Sequence, residues 1–186
     1  MRLIISKCAL VISLLTAMSH VTACAQEIST NLKSQGGEII FADPEQGSWN
    51  KLYFSNNHLH QQLFPEENTY FDKSTDSDFS ESKKYLKINK IIHGAIESEV
   101  GEEEYERAYC AFIEMSSGCI VKQETGSFCG GTWAETENTW IWAGEELAID
   151  ERDPHKALSE SDVEILSEIG GAENVSRCSK KELREL

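Results

Sequence analysis

Apolar positions fall in three patterns along the chain. One long run, CALVISLLTAMSHV (Cys8–Val21), stands near the start. Short β-type segments separated by turn residues fill the middle, and a helical spacing comes last. Glu38–Ala42 (EIIFA) and Lys51–Ser55 (KLYFS) read as strands, with Pro44 and Gly47 punctuating the turn between them. The stretch from Glu66 to Lys84 is rich in Ser, Asp and Glu and reads as an exposed loop.

Tyr85–Val100 fits two templates. Tyr85, Ile88, Ile92, Ala95 and Ile96 share one helical face, whereas Leu86, Ile88, Lys90 and Ile92 alternate with Lys87 and Asn89. The isoleucine content and an internal Gly94 favour the strand.

From Tyr105 onward the pattern predicts an antiparallel meander: Tyr105–Met115, Cys119–Gln123, Phe128–Glu135 and Thr139–Ala143, separated by turn residues. A meander covers one face with core, and Trp133, Trp140 and Trp142 supply much of that area.

After Asp150–Pro154 the period becomes helical. Ser159 with Asp162 makes a capping box, Leu158 with Val163 a hydrophobic staple, and Gly170-Gly171 a stop. Ser179 with Glu182 repeats the box for a short final helix. The expected fold class is α+β: an antiparallel β-meander stapled by disulfides, with one or two short C-terminal helices.

Arg2 and Lys7 precede the long apolar run, which is shorter than the roughly 20 residues needed to cross a bilayer and is followed by no basic stop-transfer cluster. This is the form of a secretory signal over residues 1–23. Ala23-Cys24-Ala25 fits a simple cleavage site. Val21-Thr22-Ala23-Cys24 resembles the lipobox of bacterial lipoproteins. That resemblance implies lipidation at Cys24, which becomes the new N-terminus, and Ala25 in place of Asp implies passage to the periplasmic side of the outer membrane. The position of Cys24 at the end of the apolar run favours the lipid anchor over simple secretion. Residues 24–37 then read as a flexible tether, and 38–186 as a single globular periplasmic domain.

Charge narrows the partners. The whole chain carries −15; removal of Arg2 and Lys7 leaves 15 basic against 32 acidic residues, a balance of −17. Such a surface repels nucleic acid and anionic headgroups and speeds association with a basic protein. Solubility alone also explains an acidic surface.

Cysteines set the redox class. Cys110, Cys119, Cys129 and Cys178 make an even set in an exported domain and read as two disulfides. Their spacings of nine, ten and forty-nine positions do not suit a zinc site. If Tyr105–Met115 and Phe128–Glu135 flank Cys119–Gln123, Cys110 and Cys129 lie two strand spacings apart, about 10 Å, beyond disulfide reach. Cys110–Cys129 is then the least favoured pair, and the other two connectivities stay open.

Catalytic candidates are weak. His58 and His60 have a usable metal-ligand spacing but no assignable third ligand. Asp72–Asp78 fails the calcium-loop pattern, with Ser77 where the turn glycine belongs. Glu102–Glu104 read as a charged turn, and Cys129 has no activating basic neighbour. Trp140 and Trp142 share a face, and core burial is favoured over sugar stacking. No catalytic residue, metal ligand or cofactor is assigned. The expected role is binding of another protein, such as an immunity or inhibitor protein against a basic toxin or hydrolase. The rivals are an envelope enzyme using paired carboxylates on wall glycans and a structural envelope lipoprotein.

Overall fold

The computed structural model describes residues 30–98, 101–135, 138–153 and 156–179. The large sheet contains β1 (Thr30–Lys33), β2 (Glu38–Glu45), β3 (Ser48–Ser55), β4 (His60–Leu63), β5 (Thr69–Phe71), β6 (Tyr85–Ser98), β7 (Gly101–Glu114) and β8 (Cys119–Thr125). Its order is β1-β2-β3-β5-β6-β7-β8, with β4 sharing the free edge of β3 beside β5. A small sheet holds β9 (Thr132–Trp133), β10 (Thr139–Trp142) and β11 (Glu145–Ala148), and helix α1 (Glu160–Ser179) follows. Every pairing is antiparallel, so the fold is the expected disulfide-stapled α+β meander.

The β2–β3 hairpin shows how local chemistry sets register. Glu45 pairs with Ser48, leaving Gln46 and Gly47 as the turn, both at positive φ (48° and 95°). Positive φ at both central residues is the turn that matches strand twist, and Gly47 makes it affordable. The strand therefore runs through Pro44, past the Ala42 expected from sequence.

Two cores use opposite faces of the same strands. Ile39, Phe41, Leu52, Phe54, Phe71, Leu86, Ile88, Ala111, Ile113 and Ile120 fill one face. Tyr85, Cys110, Phe112, Phe128 and Trp140 fill the other, beneath the small sheet, with Trp133 and Trp142 packed against them. Hence the run Cys110-Ala111-Phe112-Ile113 is continuously apolar instead of alternating: both faces are covered. Phe112 meets Phe128, Trp133 and Trp140 edge-on at 6.1, 5.6 and 5.1 Å.

Several expectations need correction. Glu66–Lys84 is not simply an exposed loop: it holds β5, and Thr69, Phe71, Ser74, Phe79 and Ser80 are buried. Phe128–Glu135 is not a strand flanking β8. Residues 126–130 instead form a 3-10 turn that folds across the back of β7 and β8. That places Cys129 over Cys110, and the two are bonded with Cα atoms 5.4 Å apart. The pair least favoured from sequence is therefore real, because the geometry assumed coplanar strands. Cys119 is bonded to Cys178. Of the expected tether, Thr30–Lys33 is β1, paired with β2, so the sheet begins before residue 38. Glu102–Glu104 lie in β7 instead of a turn.

The C-terminal helix starts as its sequence reads: the Ser159 backbone N–H donates to the Asp162 carboxylate at 2.9 Å, and the Asp162 N–H donates to the Ser159 hydroxyl at 3.2 Å. At Gly170 and Gly171 the backbone leaves helical values, with Gly171 at φ 69°, and then resumes. The second half binds the edge of β8. Asn174 accepts from the Ile120 N–H (2.8 Å) and donates to the Ile120 carbonyl (3.0 Å), standing in for a neighbouring strand. Arg177 donates to the Gly118 carbonyl at 3.0 Å, and Cys178 supplies the disulfide beside it. The signal segment with Cys24, His155 and residues 180–186 lie outside the described residues.

Candidate functional site

The β6–β7 hairpin outgrows its sheet. Its partners stop early: β5 pairs only as far as Ile92, and β8 only as far as Tyr109. The hairpin continues for six more cross-strand pairs, from His93–Glu106 to Ser98–Gly101. At 3.3–3.4 Å per residue, this two-stranded ribbon projects about 20 Å. All of Gly101–Ala108 is exposed.

Alternation divides the ribbon's side chains between two faces. One face extends the main core outward. It carries Ile92 opposite Arg107, Gly94 opposite Tyr105 and Ile96 opposite Glu103. Ile96 and Tyr105 are 56% and 41% exposed, among the few large apolar side chains in solvent. Gly94 has a reason to be glycine: a Cβ there would fall 2.5 Å from the Tyr105 ring, which lies across it. The other face carries Glu97 opposite Glu102, Ala95 opposite Glu104 and His93 opposite Glu106. GEEEYER is thus sorted by the pleat, with Glu102, Glu104 and Glu106 in one row and Glu103, Tyr105 and Arg107 in the other.

The acidic row is electrostatically unrelieved. Among the described residues none of Glu97, Glu102, Glu104 and Glu106 has an ion pair. Carboxylates directly opposite each other, as Glu97 and Glu102 are, destabilise a strand pair. By contrast, Ser98 donates to Glu103 at 3.1 Å and the Arg107 guanidinium lies 5.7 Å from the Tyr109 ring centroid.

Lys90 stands at the ribbon's root, 2% exposed. Its ammonium sits over the rings of Phe64 (4.3 Å) and Tyr109 (5.4 Å). Burial pushes its pKa below the ordinary lysine value, and the charge of Glu66 partly opposes that shift.

The other candidates are spread across the molecule. His60 stacks on Tyr53 at 5.4 Å, and His58 is exposed in the turn that Asn56 holds. His93 meets Tyr70 edge-on at 4.8 Å. In the Asp72–Asp78 loop, the Asp78 carboxylate accepts from the Thr75 N–H at 2.7 Å and pairs with Lys87 at 3.5 Å. Trp140 is buried, and Trp142 packs on Phe128 at 5.5 Å, so both serve the core. Among the described residues no three His, Cys, Asp or Glu side chains are grouped to hold a metal ion. A groove of about 390 Å³ lies between β8, residues 148–152 and α1. Its Asp150 carboxylate is already held by Arg152 at 2.8 Å.

Sequence reading missed the ribbon because glutamate is depleted in strands. The available signal was the matched length of Tyr85–Val100 and the segment after it, with alternate glutamates in the return strand. The chain matches no protein-family model, no curated protein and no solved structure.

Proposed function

We propose that this chain is an exported, acidic binding protein whose ribbon takes up a basic protein partner in the bacterial envelope. An immunity or inhibitor protein acting on a basic toxin or hydrolase is the form that fits best. Lipidation at Cys24, which would hold it at the periplasmic side of the outer membrane, belongs to the same reading.

One observation carries it: four carboxylates, Glu97, Glu102, Glu104 and Glu106, share one face of a projecting ribbon, and among the described residues none of them has an ion pair. The fold bears a repulsion there that a basic partner would remove. A projecting acidic surface also raises encounter rates with a cation-rich protein by about 10–10³. Hydrolysis of wall glycans has less support. It needs two carboxylates flanking the scissile bond of a sugar held in a cleft. Glu97 and Glu102 face each other in open solvent.

The test is capture from a bacterial envelope extract on the immobilised chain, followed by association kinetics of what is captured. The expected result is a basic protein whose association slows with added salt and in a Glu102→Gln/Glu104→Gln/Glu106→Gln variant. An empty column, or salt-insensitive association, overturns the proposal. The intact mass of the N-terminal peptide checks the anchor: a diacylglycerol thioether on Cys24 supports it, and an unlipidated start at Gln26 rejects it.

A further inference from the structure

β8 leaves the lane beside β7 at Thr125, opposite Tyr109. Gly126, at φ +64°, opens the 3-10 turn that carries the chain across the back of the sheet. Beyond that point β7 still has Gly101–Ala108, bonded to β6 on one side and to no described strand on the other. An exposed edge of this length presents a row of unpaired backbone donors and acceptors, the template for an added strand.

We propose that a partner segment adds to this edge as a β-strand, filling the lane that β8 vacates, and that the segment alternates basic and apolar residues. The proposal rests on the acidic-binder reading and specifies its partner. The alternation follows from register. A residue directly across from Glu102, Glu104 or Glu106 shares that side chain's face, with Cβ atoms about 4.5–5.5 Å apart, so a cation belongs there. The residues between them face the side of Tyr105 and Ile96, where apolar side chains gain cover. Glu103 and Arg107 on that side are already engaged by Ser98 and the Tyr109 ring. The backbone edge defines the site, and the glutamate row selects what fills it.

A second copy of the chain does not fit. Pairing β7 with β7 sets glutamates beside glutamates. Packing two ribbons face to face covers only about 500 Å² in all, from the strand dimensions, well below the roughly 1,200 Å² of a stable interface.

The experiment uses the whole chain and two synthetic peptides of equal length and composition. One alternates lysine and valine; the other gathers its lysines at one end. Binding is titrated while backbone amide exchange is followed. The alternating peptide is expected to bind about tenfold more tightly or better. It should also slow exchange about tenfold at the amides of Gly101–Ala108 that point away from β6. Methylating every second peptide amide should abolish that protection. Equal binding of the two peptides without protection overturns strand addition and leaves the electrostatic reading standing. Protection confined to the β6 edge overturns the assignment to this lane. If neither peptide binds while salt-sensitive capture of a basic protein persists, strand addition alone is overturned; if capture fails too, both readings fall.

Discussion

The inner and outer halves of one hairpin, β6–β7, follow opposite rules. In the inner half, Ile88 and Ala111 face one core while Phe112 and Cys110 face the other. In the outer half no residue of β7 from Gly101 to Ala108 is covered on either face. The backbone register is continuous through both halves, so pairing alone does not distinguish them. Side chains do. Two-sided apolar burial makes the inner half the centre of the fold, whereas charge and partial exposure leave the outer half as surface. Stability should therefore be concentrated in one half and binding in the other.

The largest expected break in this contrast is Phe112→Ala. It removes a fully buried ring from a cluster with three aromatic neighbours and should cost about 3–5 kcal/mol, read as a shifted denaturation midpoint. A loss below about 1 kcal/mol would remove the inner half from its central place. Next come the disulfides. Loop-closure entropy assigns about 4 kcal/mol to Cys119–Cys178, which closes 59 residues, and about 3 kcal/mol to Cys110–Cys129, which closes 19. Paired Cys→Ser variants of each should rank in that order, and the first should also free α1 from the β8 edge, visible as faster exchange at Ile120.

Lys90, at the boundary between the halves, gives a pH signature. Its folded pKa lies below the unfolded value near 10.5. Between the two values the unfolded chain keeps a proton that the folded chain has released, so this residue makes stability rise with pH there. Below the folded value its contribution is level and unfavourable. The stability difference between wild type and Lys90→Met should thus shift in favour of wild type as pH climbs toward 10.5; an unchanged difference contradicts the burial argument. The smallest effect belongs to the ribbon: Ile96→Ser should change stability by no more than about 0.5 kcal/mol. A larger loss would mean that the outer half carries packing weight.

Local signals in the sequence were the most legible. The Ser159–Asp162 box starts α1 where it reads, and the strand preference of Tyr85–Ser98 comes through its isoleucines. Contacts made through space were not legible. Nothing local says that Gly126 turns the chain over the sheet's back, so Cys129 was placed in a coplanar strand and its true partner, Cys110, disfavoured. Asn174 and Arg177 give no sign in sequence of binding a strand edge 54 and 59 residues away. The ribbon escaped for a similar reason: Glu102–Glu106 becomes a strand only because β6 is long enough to pair with it.

The most direct test deletes residues 95–104 and joins Gly94 to Tyr105 through an Asn-Gly turn, a sequence that closes tight hairpins. The shortened chain is compared with the whole one for its denaturation midpoint and for capture of a basic partner from envelope extract. Unchanged stability with capture abolished is the predicted result. Capture that survives the deletion, or a loss of folding stability beyond about 1 kcal/mol, would contradict the assignment of binding to the ribbon and stability to the doubly covered strands.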